Sequence, residues 1–456
     1  MQPMDRRCFF RSSAKGVVGL SAALAAAKPG RAVSPNDKIV MGTIGVGGRG
    51  QSLTKGFAKR ETVEIAYLCD VNSKRSGVAE LMELLESEKG KAPKRVIDLR
   101  RVLEDKDVDA VVIATCDHWH GLATVWACQA GKDVYVEKPP SHNIWEGRKM
   151  VEAARTYNRI VQCGTQNRSA PYNLKAQEYI RSGALGSIPL CKVYNVKDGS
   201  PFRITDPNSD PPDYLDYDLW LGPAAWRPYN KSVVGGWKCF WDFTAGDIAD
   251  DGSHQLDLAR WMIGKEYPKA VHSSGGNLAF DDDREVPDTL VTTYEFDDTV
   301  MTFELTQWAP YMDKIANDIR DGDLFPYWPQ CATRIELYGT KGLMFLARHG
   351  GGWQVFAKAK EQSRAGELVA QEYGRFPDDP HKDNFLECIR TRNLPNADIE
   401  IGHRSACLIH LASISLRVGC RKLTFDSETE TFVSDEEANR FLKRTYREPY
   451  VIPEKV

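Results

Sequence analysis

A glycine-rich turn placed directly after an apolar strand is the feature that most constrains how this chain can fold. Residues 38–45 have the composition of a buried strand, and residues 45–50 have the sequence GVGGRG, which matches the pattern G-x-G-x-x-G. Glycines at these spacings let the chain turn tightly, let the backbone approach a pyrophosphate and let a helix pack closely on the strand. The sequence therefore predicts a dinucleotide site whose binding residues are Gly45, Gly47, Gly48, Arg49 and Gly50.

A carboxylate follows the second predicted strand at the position that a dinucleotide site requires. Asp70 ends the strand 64–70, and it lies twenty residues after Gly50. A carboxylate there accepts a hydrogen bond from the 2′-hydroxyl of the adenosine ribose and repels a 2′-phosphate, so Asp70 favours NAD over NADP. Arg75 lies nearby in sequence, and this cation leaves NADP open as an alternative.

Short apolar segments alternate with helical segments over residues 37–166, which predicts a doubly wound parallel sheet, the Rossmann arrangement. The segment 109–115, with the sequence DAVVIAT, is a continuous apolar strand of the kind that is buried on both faces. Two more strands are predicted at 133–136 and 159–163. Residues 37–166 are therefore expected to form an N-terminal α/β domain that binds NAD or NADP.

After residue 166 the pattern changes to longer strands with a two-residue period. Such strands are predicted at 289–296, 300–307, 333–338 and 353–357. Alternation of this kind is typical of a sheet with one packed face and one open face. Residues 167–456 are therefore expected to form an α+β domain for substrate binding and oligomerisation, with a large, open and mostly antiparallel sheet. The open face predicts a homodimer or a homotetramer.

The first 32 residues have the character of an export signal. The pair Arg6-Arg7 precedes a weakly apolar run at 16–27, which ends in three alanines. This run is too short to span a membrane as a stable helix, and a twin arginine before such a run resembles a Tat signal. We therefore expect a Tat-like signal peptide at 1–32, export to the periplasm and no integral membrane segment after signal removal. The alternative is the basic N-terminus of a cytoplasmic protein.

Charge and cysteine usage argue against other classes of protein. The formal net charge is −3 over 456 residues, and no run of basic residues offers a field for nucleic acid. The 11 cysteines are scattered singly without a Cys-x-x-Cys pair, so the sequence predicts no disulfide framework.

Three further motifs resemble those of one enzyme family. They are Asp-His-Trp-His at 117–120, Tyr-Val-Glu-Lys-Pro at 135–139 and Asp-Asp-Gly-Ser-His at 250–254. In these motifs the chain is similar to the Gfo/Idh/MocA oxidoreductases, whose hallmark is the Glu-Lys-Pro after the fifth strand. The resemblance covers essentially the whole chain after the predicted signal. Cys116 and Pro140 depart from the proline and the aliphatic residue that are usual at these positions.

The resemblance implies an enzyme that transfers a hydride between a secondary hydroxyl of a sugar, glycoside or cyclitol and a nicotinamide cofactor. Such chemistry needs a proton acceptor and a cation beside the developing alkoxide. By the resemblance, Lys138 donates to the reacting oxygen, His254 is the acid/base, and Asp250 orients His254 or binds a neighbouring hydroxyl. Asp250 and His254 are four residues apart, so they share one face if 248–263 is helical.

Other residues near these motifs are assigned to binding. The residues expected to contact the cofactor are Thr115, His120, Glu137 and Lys138. The weaker candidates for substrate binding are His118, Gln166, Arg168 and Trp237. No metal site is predicted, because hydride transfer to NAD needs no metal and the sequence has no tight histidine cluster.

Three hypotheses about function stay open at this point. The first is a dehydrogenase that exchanges free NAD. The second keeps NAD bound and recycles it, either with a second sugar as oxidant or through a 3-keto intermediate that allows a glycoside to be cleaved without net redox change. The third is a non-catalytic sugar-binding protein on a dehydrogenase fold.

Overall fold

The structure, a computed structural model, describes residues 38–358, 366–375 and 378–456. The predicted signal peptide at 1–32 lies outside the described residues. The strands of the first sheet are β1 (Ile39–Ile44), β2 (Val63–Cys69), β3 (Lys94–Val96), β4 (Ala110–Ile113), β5 (Asp133–Val136) and β6 (Val161–Cys163). The helices among them are α1 (Gly48–Ala58), α2 (Val78–Lys89), α3 (Arg100–Leu103), α4 (His120–Gln129) and α5 (Ile144–Thr156).

All six strands are parallel, in the order β3-β2-β1-β4-β5-β6, so the predicted Rossmann sheet is confirmed. Every residue of β4 and β5 is buried, as expected for central strands with helices on both sides. The strand order reverses between β1 and β4, and ligands of such sheets bind beside the carboxyl ends of the strands at that point. β3 was not predicted, because this strand has three residues and none of them is fully buried.

Ten strands form the second sheet. They are β7 (Leu190–Val196), β8 (Ala270–Gly276), β9 (Thr289–Glu295), β10 (Val300–Thr306), β11 (Arg334–Tyr338), β12 (Leu343–Ala347), β13 (Trp353–Ala357), β14 (Glu367–Glu372), β15 (Leu423–Asp426) and β16 (Thr431–Phe432). Their order is β14-β13-β12-β11-β7-β10-β9-β8-β15-β16, and β7 and β10 are parallel whereas the other paired strands are antiparallel. Every second residue of β9 and β10 is buried. The predicted large, mostly antiparallel sheet is confirmed.

Helices cover the inner face of the second sheet. The helices after the first sheet are α6 (Pro171–Arg181), α7 (Tyr217–Leu221), α8 (Lys231–Gly235), α9 (Gly252–Ile263), α10 (Asn317–Arg320), α11 (Asp378–Thr391), α12 (Ile399–Arg417) and α13 (Glu436–Asn439). α9 packs on β7, and α12 packs on β8 and on α9. The hydroxyl of Tyr294 in β9 donates to the Leu408 carbonyl of α12 at 2.8 Å. Within the described ranges, no helix has both the length and the apolar character needed to cross a membrane.

Helix α9 begins at Gly252, four residues later than the sequence predicted. Before it, a 3₁₀ turn spans Gly246–Ile248, and the Gly246 carbonyl accepts from the amides of both Ala249 and Asp250 at 3.0 Å. This tight turn occupies the residues where the helix was expected to start. Asp250 therefore lies in the turn before α9 and does not share a helical face with His254, which corrects the expected arrangement.

Two segments from the second half of the chain pack against the first sheet. Phe385 of α11 packs edge-on against Phe57 and Tyr135, with ring centroids 6.0 and 5.8 Å apart. Near the C-terminus, Tyr450 packs edge-on against Trp119 at 5.5 Å. Both segments belong to the predicted second domain, yet they complete the hydrophobic cores around the parallel sheet.

Candidate active site

A cleft of about 330 Å³ opens at the carboxyl ends of β1, β4 and β5. This volume lies within the range of small-molecule and cofactor sites, ~300–1,000 Å³. The sequence-predicted residues that line the cleft are Gly45, Gly47, Gly48, Arg49, Asp70, Thr115, His120, Glu137, Lys138, Trp237 and Asp250. The other lining residues are Arg75, Ala114, Cys116, Asp117 and Lys238.

The glycines of the first turn meet three different steric demands. Gly45 has a φ of 84°, and a Cβ on it would lie 2.6 Å from the Ala114 carbonyl oxygen. A Cβ on Gly50 would overlap the Gly45 carbonyl oxygen, so this residue sets how closely α1 approaches β1. By contrast, a Cβ on Gly47 or Gly48 would meet no protein atom within 4 Å. The open space at Gly47 and Gly48 is where a pyrophosphate approaches the backbone in such a turn.

Asp70 is buried directly after β2, beside the glycine turn. Its carboxylate accepts from the backbone amide of Val46 at 3.0 Å and from that of Asn72 at 2.9 Å. Arg75 donates to both carboxylate oxygens at 3.1 Å. Asp70, which favours NAD, therefore forms an ion pair with Arg75, the cation that would allow NADP to bind.

A second cavity of about 70 Å³ adjoins the cleft at Asp70. The apolar side chains that line it are Ile44, Val71, Ile97, Leu99, Trp119, Leu219 and Trp220. Apolar walls next to a carboxylate at the end of the second strand suit the adenine ring of a dinucleotide.

A segment that follows the first sheet in the chain forms one side of this cavity. We call residues 214–221 the clasp. The Asp216 amide of the clasp donates to the Val71 carbonyl at 3.0 Å, and the Ser73 amide donates to a clasp carbonyl at 2.7 Å. These bonds attach the clasp to the loop after β2, and Trp220 at its far end forms part of the cavity wall.

Arg49 and Glu137 connect the glycine turn to the end of β5. The Arg49 Nε donates to Glu137 at 2.8 Å, and Nη2 donates to Asp378 of α11 at 3.0 Å. Burial alone would lower the pKa of Arg49, but the charge of Glu137 outweighs burial and raises this pKa. Arg49 therefore stays charged and holds the start of α1 against β5.

The His120 ring connects two loops at the cleft. Its Nδ1 lies 2.7 Å from the Pro139 carbonyl oxygen, and its Nε2 lies 3.2 Å from the Thr115 carbonyl oxygen. These contacts hold the loop after β4 against the turn that carries Lys138.

Lys138 follows β5 and forms a part-buried ion pair with Asp250. Its ammonium donates to Asp250 Oδ1 at 2.6 Å and to the Asp250 carbonyl at 2.9 Å, and Lys238 donates to Oδ2 at 2.5 Å. Burial alone would lower the pKa of Lys138, but the charges of Asp250 and Glu137 and the hydrogen bond to Asp250 together raise this pKa. Burial alone would raise the pKa of Asp250, but Lys138 and Lys238 outweigh burial and lower it. Lys138 and Asp250 are therefore both charged at neutral pH.

His254 lies in the first turn of α9, almost fully buried and outside the lining of the cleft. Its Nδ1 has no hydrogen-bond partner among the described residues. Burial, together with the positive charges of Arg348 and Lys138, lowers the pKa of His254 well below its ordinary value. The imidazole is therefore neutral at neutral pH and able to accept a proton.

The structure does not bring three of the weaker candidates to the cleft. His118 is buried with Nε2 3.0 Å from the Trp220 carbonyl oxygen, and burial lowers its pKa to about 3. Gln166 donates to a buried tyrosine hydroxyl at 3.3 Å. Arg168 donates to both oxygens of Asp257 at 2.8 and 2.9 Å. These contacts lie inside the protein, and His118 Nδ1 has no hydrogen-bond partner among the described residues, whereas Trp237 lines the cleft.

Sequence reasoning missed two charged residues of the cleft, Asp117 and Lys238. Asp117 accepts from the Thr244 hydroxyl at 2.7 Å, and burial raises its pKa to about 6. The sequence could have indicated Asp117, because it is the first residue of the Asp-His-Trp-His motif. No motif indicates Lys238, which lies in an irregular segment rich in aromatic residues.

Comparisons with known proteins identify the family. A model of the GFO_IDH_MocA oxidoreductase family, described as an NAD-binding Rossmann fold, matches residues 39–165. A second model of this family, described as a C-terminal alpha/beta domain, matches residues 202–299 and 359–452. Together they match more than half of the chain. The protein therefore belongs to this oxidoreductase family, and its first sheet is the core of an NAD-binding domain.

The individual relatives that match this chain share less than a third of their residues with it in the matched region. Levoglucosan dehydrogenase of Pseudarthrobacter phenanthrenivorans is 29% identical over 168 residues, which are 37% of this chain and 36% of that protein. The match thus spans little more than a third of that relative. The scyllo-inositol 2-dehydrogenase (NAD(+)) of Bacillus subtilis is 24% identical over 309 residues, which are 65% of this chain and 72% of that protein. A solved levoglucosan dehydrogenase in complex with NADH has a TM-score of 0.60 at 19% identity, over 84% of this chain and 98% of that one, and shares the fold.

The glycine turn allows a matched test of its roles. In Gly47→Ala the new methyl group meets only open space, so we expect unchanged thermal stability. NAD binding should weaken about tenfold or more, because the methyl group occupies the approach of the pyrophosphate. In Gly50→Ala the methyl group overlaps the Gly45 carbonyl, so we expect a lower melting temperature. Thermal unfolding and calorimetric titration with NAD measure both effects, and full NAD affinity in Gly47→Ala would contradict the assignment.

Proposed function

We propose that this protein is an enzyme that transfers a hydride between a secondary hydroxyl of a sugar or cyclitol and NAD. The observation that carries the proposal is the part-buried Lys138–Asp250 pair, with neutral His254 nearby, in a cleft that contains the glycine turn. Two relatives named for dehydrogenation of levoglucosan and scyllo-inositol support the same class of substrate.

The residues of the cleft fit a dinucleotide. Gly47 and Gly48 leave space at the N-terminus of α1, where backbone N–H groups favour an anion. Asp70 offers a carboxylate to a ribose, and the cavity under the clasp suits an adenine ring. When bound, NAD supplies the hydride acceptor or donor.

Lys138 is the group that we assign to the reacting oxygen of the substrate. Its raised pKa keeps the ammonium charged, and a fixed positive charge stabilises the negative charge that develops as a hydroxyl loses its proton. Two of its N–H groups are held by Asp250, which fixes the ammonium and leaves the third N–H for a ligand. Asp250 therefore positions Lys138 in this proposal.

His254 is the proposed acid/base. Its neutral ring has a lone pair that can accept a proton, and burial together with the charges of Arg348 and Lys138 favours this neutral form before a substrate binds. A buried ring nitrogen without a partner is unfavourable unless a ligand or water satisfies it, so the free Nδ1 points to a role in binding or proton transfer.

Replacing either group tests the proposal. We expect Lys138→Met and His254→Ala each to lower kcat by roughly 10²–10⁴-fold with a sugar or cyclitol substrate, because each removes a group that acts on the reacting hydroxyl. Both variants should keep bound NAD, which is measured after heat release. Lys422→Met, at an exposed ion pair with Glu295, is the matched control.

Activity like that of the unchanged protein in either variant would refute the site. Failure of the unchanged protein to convert any sugar or cyclitol, with sugar binding intact, would favour a sugar-binding protein instead.

A second candidate function, in which NAD is retained and recycled, is favoured by the clasp. The clasp is bonded to the loop after β2 and forms part of the wall of the cavity proposed for adenine, so release of the cofactor requires these contacts to open. A retained cofactor would allow a glycoside to be cleaved through a 3-keto intermediate, or a second sugar to serve as oxidant. It would also suit export by the Tat route, because that route carries folded proteins.

Retention predicts that protein purified without added nucleotide carries NAD(H). We expect heat denaturation to release nearly one equivalent, and we expect Trp220→Ala to lose the cofactor during gel filtration, because removal of the ring opens the cavity. Trp226→Ala is the control, since this tryptophan is 71% exposed. Nucleotide-free protein that exchanges added NAD rapidly would favour the first candidate.

We further propose that the open face of the second sheet mediates self-association. Val291 of β9 and Val300 of β10 are 46% and 39% exposed on this sheet, and an open sheet face with apolar residues favours a partner. Size-exclusion chromatography with light scattering at micromolar concentration should show a dimer or a tetramer. A monomer under these conditions would contradict the proposal.

A further inference from the structure

Three cations surround Asp251, the neighbour of the proposed positioning residue Asp250. Asp251 lies 2.6 Å from the Lys197 ammonium, 2.5 Å from the Arg348 guanidinium and 3.1 Å from the Lys314 ammonium. Lys197 also contacts Asp247 at 2.8 Å. One carboxylate is therefore shared by three cations, which is more positive charge than it can neutralise.

The excess of positive charge extends over the whole end of the cleft that carries Lys138. Among the ion pairs of the described residues here, five cations share three carboxylates. The cations are Lys138, Lys197, Lys238, Lys314 and Arg348, and the carboxylates are Asp247, Asp250 and Asp251. The two cations in excess, Lys238 and Lys314, have side chains that are 53% and 54% exposed, so an anion that enters from solvent can reach them. A ligand with negative charge would restore the balance.

Arg348 offers a specific place for that charge. Its side chain is only 9% exposed, and its Nε is buried without a hydrogen-bond partner among the described residues. The planar fork of a guanidinium matches the oxygens of a carboxylate or a phosphate-type ester. Lys314, whose side chain is 54% exposed, provides a second cation on the solvent side of Asp251.

This group of cations is continuous with the proposed catalytic residues. Asp250 and Asp251 are adjacent in the chain, and Asp250 holds Lys138. Arg348 contacts Asp251 at 2.5 Å, and the preceding residue, Asp250, contacts Lys138 at 2.6 Å. A substrate whose reacting hydroxyl lies at Lys138 can therefore extend towards Arg348.

We propose that the substrate is a sugar or cyclitol that carries an anionic group, and that Arg348 and Lys314 bind this group. The inference rests on the proposed function, because it assigns the substrate class of the same cleft. Before the substrate binds, Asp251 holds the cations in place. In the complex, the anion accepts from the donors of Arg348 and Lys314 that Asp251 leaves free, while Lys197 keeps Asp251 fixed through its contacts with Asp247 and Asp251.

The first experiment compares sugars that differ only in charge. It measures kcat/KM for glucose against glucuronate, galactose against galacturonate, and glucose against its phosphate and sulfate esters. We expect an acidic member to be preferred about tenfold or more, with an advantage that falls as ionic strength rises, because salt screens the attraction. The carboxylate and ester arms distinguish the two sources of negative charge. Equal or lower kcat/KM for every acidic sugar overturns the inference.

The second experiment tests the two residues. Arg348→Gln and Lys314→Gln should each lower the ratio of acidic to neutral kcat/KM about tenfold or more, because each removes one cation that binds the anion. Lys314 is half-exposed, so its replacement remains informative if Arg348→Gln fails to fold. Arg101→Gln, at an exposed pair with Glu104, is the matched control and should keep the ratio. An unchanged ratio in Lys314→Gln overturns the assignment of this residue, and an unchanged ratio in both variants overturns the inference.

Calorimetric titration separates this inference from the proposed function. Binding of an acidic sugar that is lost in Lys314→Gln, without turnover of any sugar, would support the anion site and refute the enzyme. Turnover of neutral sugars without binding of any acidic sugar would support the enzyme and refute the anion site. Failure of the protein to bind any acidic sugar overturns the anion site in either case.

Discussion

The ion pair between Lys138 and Asp250 joins the two halves of the chain at the cleft. Lys138 follows a strand of the parallel sheet, and Asp250 precedes the helix that packs on the antiparallel sheet. The side chains of Lys138 and Asp250 are only 14% and 30% exposed, and each offsets the charge that the other removes from water. The pair therefore connects the turn after β5 to the turn before α9 at the cleft.

The two walls of the cleft are built by different means. On the cofactor side, the important groups are backbone amides and the close approach of Gly50 to Gly45, which depend on the path of the chain more than on side-chain chemistry. On the opposite side, the charged side chains of Lys138, Lys238 and Asp250 line the cleft. The first wall uses groups that are general to dinucleotide folds.

This difference explains how much the sequence could predict. The turn at 45–50 and Asp70 act through a strand, a turn and a helix that are contiguous in sequence, so a local pattern was sufficient to locate them. The alternation of apolar segments likewise predicted both sheets. Arg348 and Lys314 come from loops that only the tertiary fold brings to Asp251, so no spacing in the sequence indicates them.

Other expectations failed for equally physical reasons. Arg168 has the charge of a substrate-binding residue, but a carboxylate on α9, Asp257, pairs with it inside the protein. The helix expected at 248–263 begins only at Gly252, because a 3₁₀ turn at Gly246–Ile248 precedes it. Asp250 therefore lies before the helix and not on its face. Periodicity alone does not reveal such a turn, since its residues are compatible with either conformation.

The return of α11 and the C-terminal segment to the first sheet has a consequence for how this protein can be divided. Phe57, Tyr135 and Trp119 of the nucleotide-binding half are covered by Phe385 and Tyr450 from the distant end of the chain. A fragment cut after the sixth strand would expose these rings to water. The nucleotide-binding half is thus not a self-contained unit, because residues more than 200 positions later in the chain complete its hydrophobic cores.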